Sequence, residues 1–171
     1  LIDRVTEESR VPVLRHYDGI CHVYVDRDAG IAMATDVVAN AKMRRVSVCG
    51  AAETLLVDRA ALDTHLMPML ARLHDLGCEV RGDSEVQKRD PKATPATEKD
   101  WRTEYLAPVI SVAAVDGVDG AIRHIATFGS QHTESIITGN EATASRFLAE
   151  VDSAIVMHNA STQFADGGEF G

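Results

Sequence analysis

Apolar and polar positions along this chain change period again and again, from the two-residue repeat of a strand to the 3.6-residue repeat of a helix. Residues 21–26, CHVYVD, have the β-branched and aromatic content of a strand. A helix follows over 26–43. Ile31, Ala34, Val38 and Ala41 recur on one face there, and Asp28 is placed to cap its start. The run 53–58, ETLLVD, predicts the next strand. Residues 59–77 then predict a helix with Leu62, Leu66, Met69, Leu70, Leu73 and Leu76 along one stripe and Gly77 as its stop. Pro68 within it predicts a kink or a late start.

A short strand is expected at 78–82. Residues 82–103 are polar, contain two prolines and lack an apolar period, so they predict a long surface connection. Regularity then returns as strand 107–115, helix 118–129, strand 134–138, helix 140–151 and strand 153–160. Strands alternating with helices predict an α/β fold with a mainly parallel sheet and flanking helices. Open sheets of this class bind ligands at the carboxyl ends of their strands. That rule draws attention to two loops, the turn around Cys49 and the tail NASTQFADGG at 159–168.

Composition narrows the class. With 171 residues, 45% of them hydrophobic and 25% charged, the chain can build one domain with a real core. A formal net charge of −9 argues against general affinity for nucleic acid. No apolar run approaches the roughly 18 residues of a membrane span, so no membrane partner is expected. Cys21, Cys49 and Cys78 are an odd number without regular spacing, which favours free thiols and a cytoplasmic setting. Neither C-x-x-C nor H-E-x-x-H occurs, and no metal site is expected. The chain begins with Leu and ends Gly-Gly-Glu-Phe-Gly, which predicts a piece of a longer protein.

Among the candidate residues, Cys49 has the most suggestive surroundings. A single cysteine is most often a small buried hydrophobe. Here Lys42, Arg44 and Arg45 lie just upstream, and cations favour the thiolate. Gly50, Ala51 and Ala52 leave room for a substrate oxygen at the backbone N–H groups, as an oxyanion hole requires. Cys21 and Cys78 each begin a predicted strand, where packing explains them. His22, His132 or His158 could in principle serve Cys49 as a base, but spacing pairs none of them with it. Asn159, Ser161, Thr162 and Gln163 are residues that usually close a turn and would equally suit a polar substrate. Glu104 reads by default as an exposed carboxylate before a proline.

Four stretches in order, GICHVYVD, NAKMRRVSVCGAAETLLV, HTESIIT and NASTQFADGGEFG, resemble the γ-glutamyl phosphate reductases (glutamate-5-semialdehyde dehydrogenases) of proline biosynthesis, in the aldehyde dehydrogenase superfamily. The resemblance runs over nearly the whole chain and is least clear across residues 82–100. It implies an aldehyde dehydrogenase-like catalytic domain at 14–171, with residues 1–13 ending the cofactor-domain segment. The rest of the cofactor domain and an oligomerisation arm would lie outside this stretch, and any homo-oligomer would form through them.

By resemblance, Cys49 is the nucleophile that attacks γ-glutamyl phosphate, NADPH reduces the resulting thioester, and glutamate 5-semialdehyde leaves. Glu104, in Glu-Tyr-Leu-Ala-Pro, matches the superfamily's Glu-x-Phe-Gly-Pro, whose glutamate holds the nicotinamide ribose; the phenylalanine and glycine are absent here. Asn159, Ser161 and Thr162 would line the substrate side. Many relatives carry arginine where this chain has Gln163, so an anchoring cation is expected to be lost or moved, with Arg44 and Arg45 as its replacements. Hydrolytic members carry a water-activating glutamate in Glu-Leu-Gly-Gly. The corresponding stretch His16–Gly19 has none, as suits an enzyme that must keep water from its thioester. Two rival readings are a folded module that is inactive by itself and a cofactor-free cysteine hydrolase.

Overall fold

The computed structural model describes residues 2–13 and 17–165. Its elements run α1 (Ile2–Glu8), β1 (Cys21–Val25), α2 (Ile31–Met43), β2 (Ala52–Asp58), α3 (Met67–Asp75), β3 (Glu79–Gly82), α4 (Ser84–Gln87), β4 (Thr94–Pro95), β5 (Val109–Val115), α5 (Gly117–Phe128), β6 (Thr133–Ile137), α6 (Glu141–Glu150) and β7 (Ile155–His158). The strands form one sheet in the order β4-β3-β5-β2-β1-β6-β7, and every pairing is parallel. A parallel sheet needs a crossover between neighbouring strands, and helices supply it. The expected α/β architecture is therefore present in full.

Strand alternation divides the core in two. Val23, Val25, Leu55, Val57, Ile110 and Val112 face α2 and α3, while Tyr24, Leu56 and Ala113 face α5 and α6. Tyr24 stacks on Phe147 of α6 with ring centroids 6.1 Å apart. Strands buried on both faces read as continuous apolar runs, which is why ETLLVD and VISVAAV are legible as strands.

Four local expectations need correction. Asp28 does not cap α2; Gly30 holds that position without a side-chain hydrogen bond, and Asp28 accepts instead from Asn140 Nδ2. Ile31 and Leu76 lie at the ends of their stripes and are exposed, while Ala34, Val38, Ala41, Leu62, Leu66, Met69, Leu70 and Leu73 are buried as predicted. The region before α3 is a 3₁₀ turn (Arg59–Ala61) and a π-helical turn (Leu62–Leu66). Pro68 then falls in the first turn of α3, where its missing N–H costs nothing. Gly77 takes φ +80°, as a helix stop requires.

The fourth correction is the largest. Residues 82–103 are not a plain surface connection: α4, strand β4 and a 3₁₀ turn at Asp100–Arg102 all lie within them. The polar side chains satisfy the backbone there. Asp83 caps α4 by accepting from Glu85 N and Val86 N, and buried Asp100 accepts from Thr97, Arg81 and Tyr105. An apolar-period reading misses elements held by polar groups.

Candidate active site

The amino-terminal edge of the sheet gathers four distant segments around Cys49. Cys49 sits in a turn closed by Ala51 N–H donating to Val48 C=O at 3.0 Å. The two central amides, Cys49 N–H and Gly50 N–H, have no partner among the described residues, since the turn's own bond uses neither. Beneath the turn passes Gly19. A Cβ there would lie 2.2 Å from the Cys49 carbonyl oxygen, so only glycine allows the two backbones so close. Gly19 N–H in turn donates to Glu104 Oε1 at 3.0 Å. From the other side, a Cβ on Gly50 would lie 3.2 Å from the Thr162 carbonyl oxygen. Cys49, Glu104 and Thr162 thus meet through two glycines.

The run Gly19–His22 is held at each residue. Ile20 N–H donates to Ser130 Oγ at 2.9 Å, and His22 N–H donates to Glu134 Oε2 at 2.8 Å. Glu134 Oε2 also lies 2.9 Å from His22 Nδ1, and both side chains are fully buried. Between them, the Cys21 thiol donates to the Cys49 carbonyl at 3.1 Å. The β1–β2 register slips here, with Cys21 opposite Ala52 and His22 opposite Thr54. Glu53 is the extra residue, and such bulges re-aim a side chain. Its carboxylate pairs with the buried Lys42 ammonium and accepts from Leu106 N–H at 3.4 Å. Burial pushes the Glu53 carboxyl up to about 7 despite Lys42.

The three thiols differ sharply. Cys21 and Cys78 are buried, and Cys49 is partly exposed. Burial, with the Glu134 charge next, holds Cys21 well above the ordinary thiol range, and burial pushes Cys78 up to about 11. Lys42 is fully buried and its ammonium pairs with Glu53. Arg44 and Arg45 are exposed, with no ion-pair partner among the described residues. Arg44 lines a depression beside α2 and α3 with Asp36, Arg72 and Leu76.

The candidate histidines have partners of their own. His22 is held by Glu134, and His158 Nε2 lies 3.0 Å from the Thr138 carbonyl. His132 Nδ1 lies 3.5 Å from Cys21 Sγ and 2.8 Å from Thr133 Oγ1.

The tail crosses the sheet from edge to edge. Asn159, at φ +53°, clasps Thr138: its Oδ1 accepts from Thr138 N–H and its Nδ2 donates to Thr138 C=O, both at 3.0 Å. This residue is therefore at the carboxyl edge, away from Cys49. Ser135 Oγ donates to Ala160 C=O, and Ser161 Oγ accepts from Gln163 N–H. Buried Thr162 beside Gly50 has a hydroxyl without a hydrogen-bond partner among the described residues. Gln163 Nε2 donates to the carbonyls of Ala41, at 2.8 Å, and Arg45, at 3.3 Å. Position 163 therefore clamps the tail to the carboxyl end of α2 and carries no outward anchor. His16 and residues 166–171 lie outside the described residues.

The general rule about carboxyl ends points to the opposite edge from Cys49. The carboxyl edge does hold a cavity of about 670 Å³, lined by Asp26, Arg27, Asp58, Arg59, Asp116 and Thr143 among others. Four of its charges are paired as Arg27–Asp58 and Arg59–Asp116, and Asp26 accepts from the Tyr24 and Thr138 hydroxyls. Among the described residues no group of three or more His, Cys, Asp or Glu is placed to hold a metal, and no helix is long and apolar enough to cross a membrane.

No protein-family model matches the chain. The γ-glutamyl phosphate reductases of Methylobacterium sp. (strain 4-46) and Parvibaculum lavamentivorans are 63% and 64% identical to it over 171 residues. The crystal structure of γ-glutamyl phosphate reductase from Thermotoga maritima superposes with a TM-score of 0.94 at 43% identity, over 99% of this chain and 41% of that one. The chain belongs to the γ-glutamyl phosphate reductase family. It spans all of its own length and 40% of those two relatives'. An acetylating aldehyde dehydrogenase from Geobacillus thermoglucosidasius, 16% identical with a TM-score of 0.72 over 94% of this chain and 44% of its own, shares the fold. Gly19, Ser130 and Glu134 escape a reading of the sequence, and Cys21 reads there as a packing residue only, because contacts between distant segments leave no mark in spacing.

Proposed function

We propose that this chain is the catalytic part of a cytoplasmic enzyme that reduces γ-glutamyl phosphate to glutamate 5-semialdehyde and phosphate, with Cys49 as the nucleophile. The observation that carries the reading is the turn itself: a partly exposed thiol whose own N–H and whose neighbour's N–H are unpartnered, backed by Gly19. The Cys49 sulfur forms a bond to the acyl carbon of γ-glutamyl phosphate. The carbonyl oxygen takes up negative charge beside the unpartnered N–H groups, and phosphate leaves with the electron pair of the broken C–O bond. Preorganised amides are worth most where water is excluded.

A reduced nicotinamide cofactor, NADPH by family, supplies the two electrons that take the thioester to the aldehyde. The residues present fit such a group. Glu104 spends Oε1 on Gly19, and its Oε2 has no hydrogen-bond partner among the described residues, leaving an acceptor for a ribose hydroxyl. Cys49 attacks as the thiolate, and release of the aldehyde breaks the S–C bond and returns the thiolate. The absence of a glutamate at 16–19 keeps the thioester for reduction and not for hydrolysis. A hydrolase using Cys49 and a histidine gains no support from the contacts of His22 with Glu134, of His158 with Thr138, or of His132 with Cys21 and Thr133.

One observation favours a second reading, in which this stretch by itself is folded but inactive. Tyr17, Leu106 and Phe164 are exposed at 53%, 49% and 79%, each two residues from a group that meets at Cys49. Apolar groups so placed suit a face covered by another part of the protein. The test of the main reading is Cys49→Ser in the full-length protein carrying this chain. NADP reduction with glutamate semialdehyde and phosphate should fall at least about 1,000-fold, the scale on which a removed nucleophile is felt. Retained turnover would rule Cys49 out.

A further inference from the structure

We propose that Cys21 is a positioning residue for catalysis: its thiol, donating to the Cys49 carbonyl, fixes the peptide that carries the nucleophile. The inference rests on the reading of Cys49 as the attacking sulfur. Three observations carry it. First, the contact is direct, 3.1 Å from Cys21 Sγ to Cys49 O, and Cys21 is fully buried. Second, the Cys49 carbonyl has no other room, because the Gly19 backbone lies against it so closely that a methyl there would overlap it. The carbonyl is held between the Gly19 backbone and the Cys21 thiol.

Third, Cys21 is itself on a fixed base. Gly19, Ile20 and His22 on either side donate their N–H groups to the side chains of Glu104, Ser130 and Glu134, which come from two other segments of the chain. A donor held this firmly aims its acceptor. In a trans peptide the C=O and the following N–H point opposite ways. Holding the Cys49 C=O toward Cys21 therefore turns Gly50 N–H to the other side of the turn.

The surroundings keep Cys21 in the donating form. Burial and the Glu134 carboxylate both disfavour its thiolate, so the sulfur retains its proton while Cys49 reacts. His132 Nδ1, at 3.5 Å, and the Thr133 backbone N–H also approach this sulfur. Two cysteines within reach of one turn thus have different tasks, one as nucleophile and one as hydrogen-bond donor.

The test compares Cys21→Ala and Cys21→Ser in the full-length protein. Cys21→Ala removes the donor; Cys21→Ser keeps one on a slightly shorter arm. The alanine variant should lose about tenfold in kcat with KM for glutamate semialdehyde nearly unchanged, the signature of a contact that matters in the transition state. Iodoacetamide should label Cys49 more slowly in that variant, and serine should restore most of both. Wild-type kcat and labelling in Cys21→Ala would overturn the proposal. So would an equal loss in both variants tracking a lowered melting temperature, which would make Cys21 a packing residue only. Cys49→Ser, run beside them, separates the two claims: turnover retained there sinks the nucleophile reading, whatever Cys21 does.

Discussion

At the residue scale the site depends on what is missing from Gly19 as much as on the thiol above it. A glycine before a strand is ordinary, and nothing in its neighbours marks it as the floor of a turn thirty residues away. With Gly19→Ala the added Cβ meets backbone at 2.2 Å and not a side chain that could swing aside. The Cys49 turn must then move. A displacement of about 1 Å costs roughly 100-fold in rate, so Gly19→Ala in the full-length protein should lose about that factor in kcat. The protein should stay folded, since the clash is local; a variant with wild-type kcat would show that the turn position is not critical. Cys49 was legible as a candidate because small residues and cations flank it. Cys21 was legible only as buried, because a contact with a carbonyl leaves no trace in spacing. Gln163 reads as a lost anchor in sequence, yet its amide is turned inward to the Ala41 and Arg45 carbonyls.

At the element scale, β-strands with two buried faces and helices with a single apolar stripe were plain in the sequence, since burial dictates their patterns. Segment 82–103 was not, because Asp83 and Asp100 hold it through hydrogen bonds that no apolar period reports. Helix α5 makes a testable statement of its own. His124 packs edge-on against Trp101, near Phe128 and His22, and burial, with His22 adding to it, pushes its pKa down to about 3.

The folded protein keeps this ring neutral, while the unfolded chain takes a proton below the ordinary 6.5. Stability from this group is complete above that pH and is lost as pH falls toward 3. At pH 5 the loss is on the order of 2 kcal/mol. Glu53, raised to about 7, acts in the opposite sense, its contribution fading as pH rises through that value. It is common to wild type and variant, so it cancels in a comparison. Between pH 7 and pH 5 the melting temperature should therefore fall less in His124→Phe than in wild type; parallel curves would refute the assignment.

At the scale of the whole molecule the parallel sheet explains why the site has an edge to itself. Loops at the amino ends of β1, β2, β5 and β6 converge as Gly19, Cys49, Glu104 and Ser130, and the tail after β7 crosses back to join them. The usual preference for carboxyl ends predicts the other edge, where paired charges fill the loops instead. That rule describes open sheets whose helix N-termini receive the ligand. Cys49 lies in a turn that follows the C-terminus of α2, so the argument from helix N-termini does not reach it.

The central claim is that Cys49 carries the acyl group, and it can be observed directly. The full-length protein would be mixed with NADP and glutamate semialdehyde in the absence of phosphate, quenched in acid and digested, and each cysteine peptide weighed. Without phosphate the thioester has nowhere to go and should accumulate. A single glutamyl adduct on the Cys49 peptide, with Cys21 and Cys78 unmodified, is the predicted result. An adduct on another residue, or none while NADPH is formed, would contradict it.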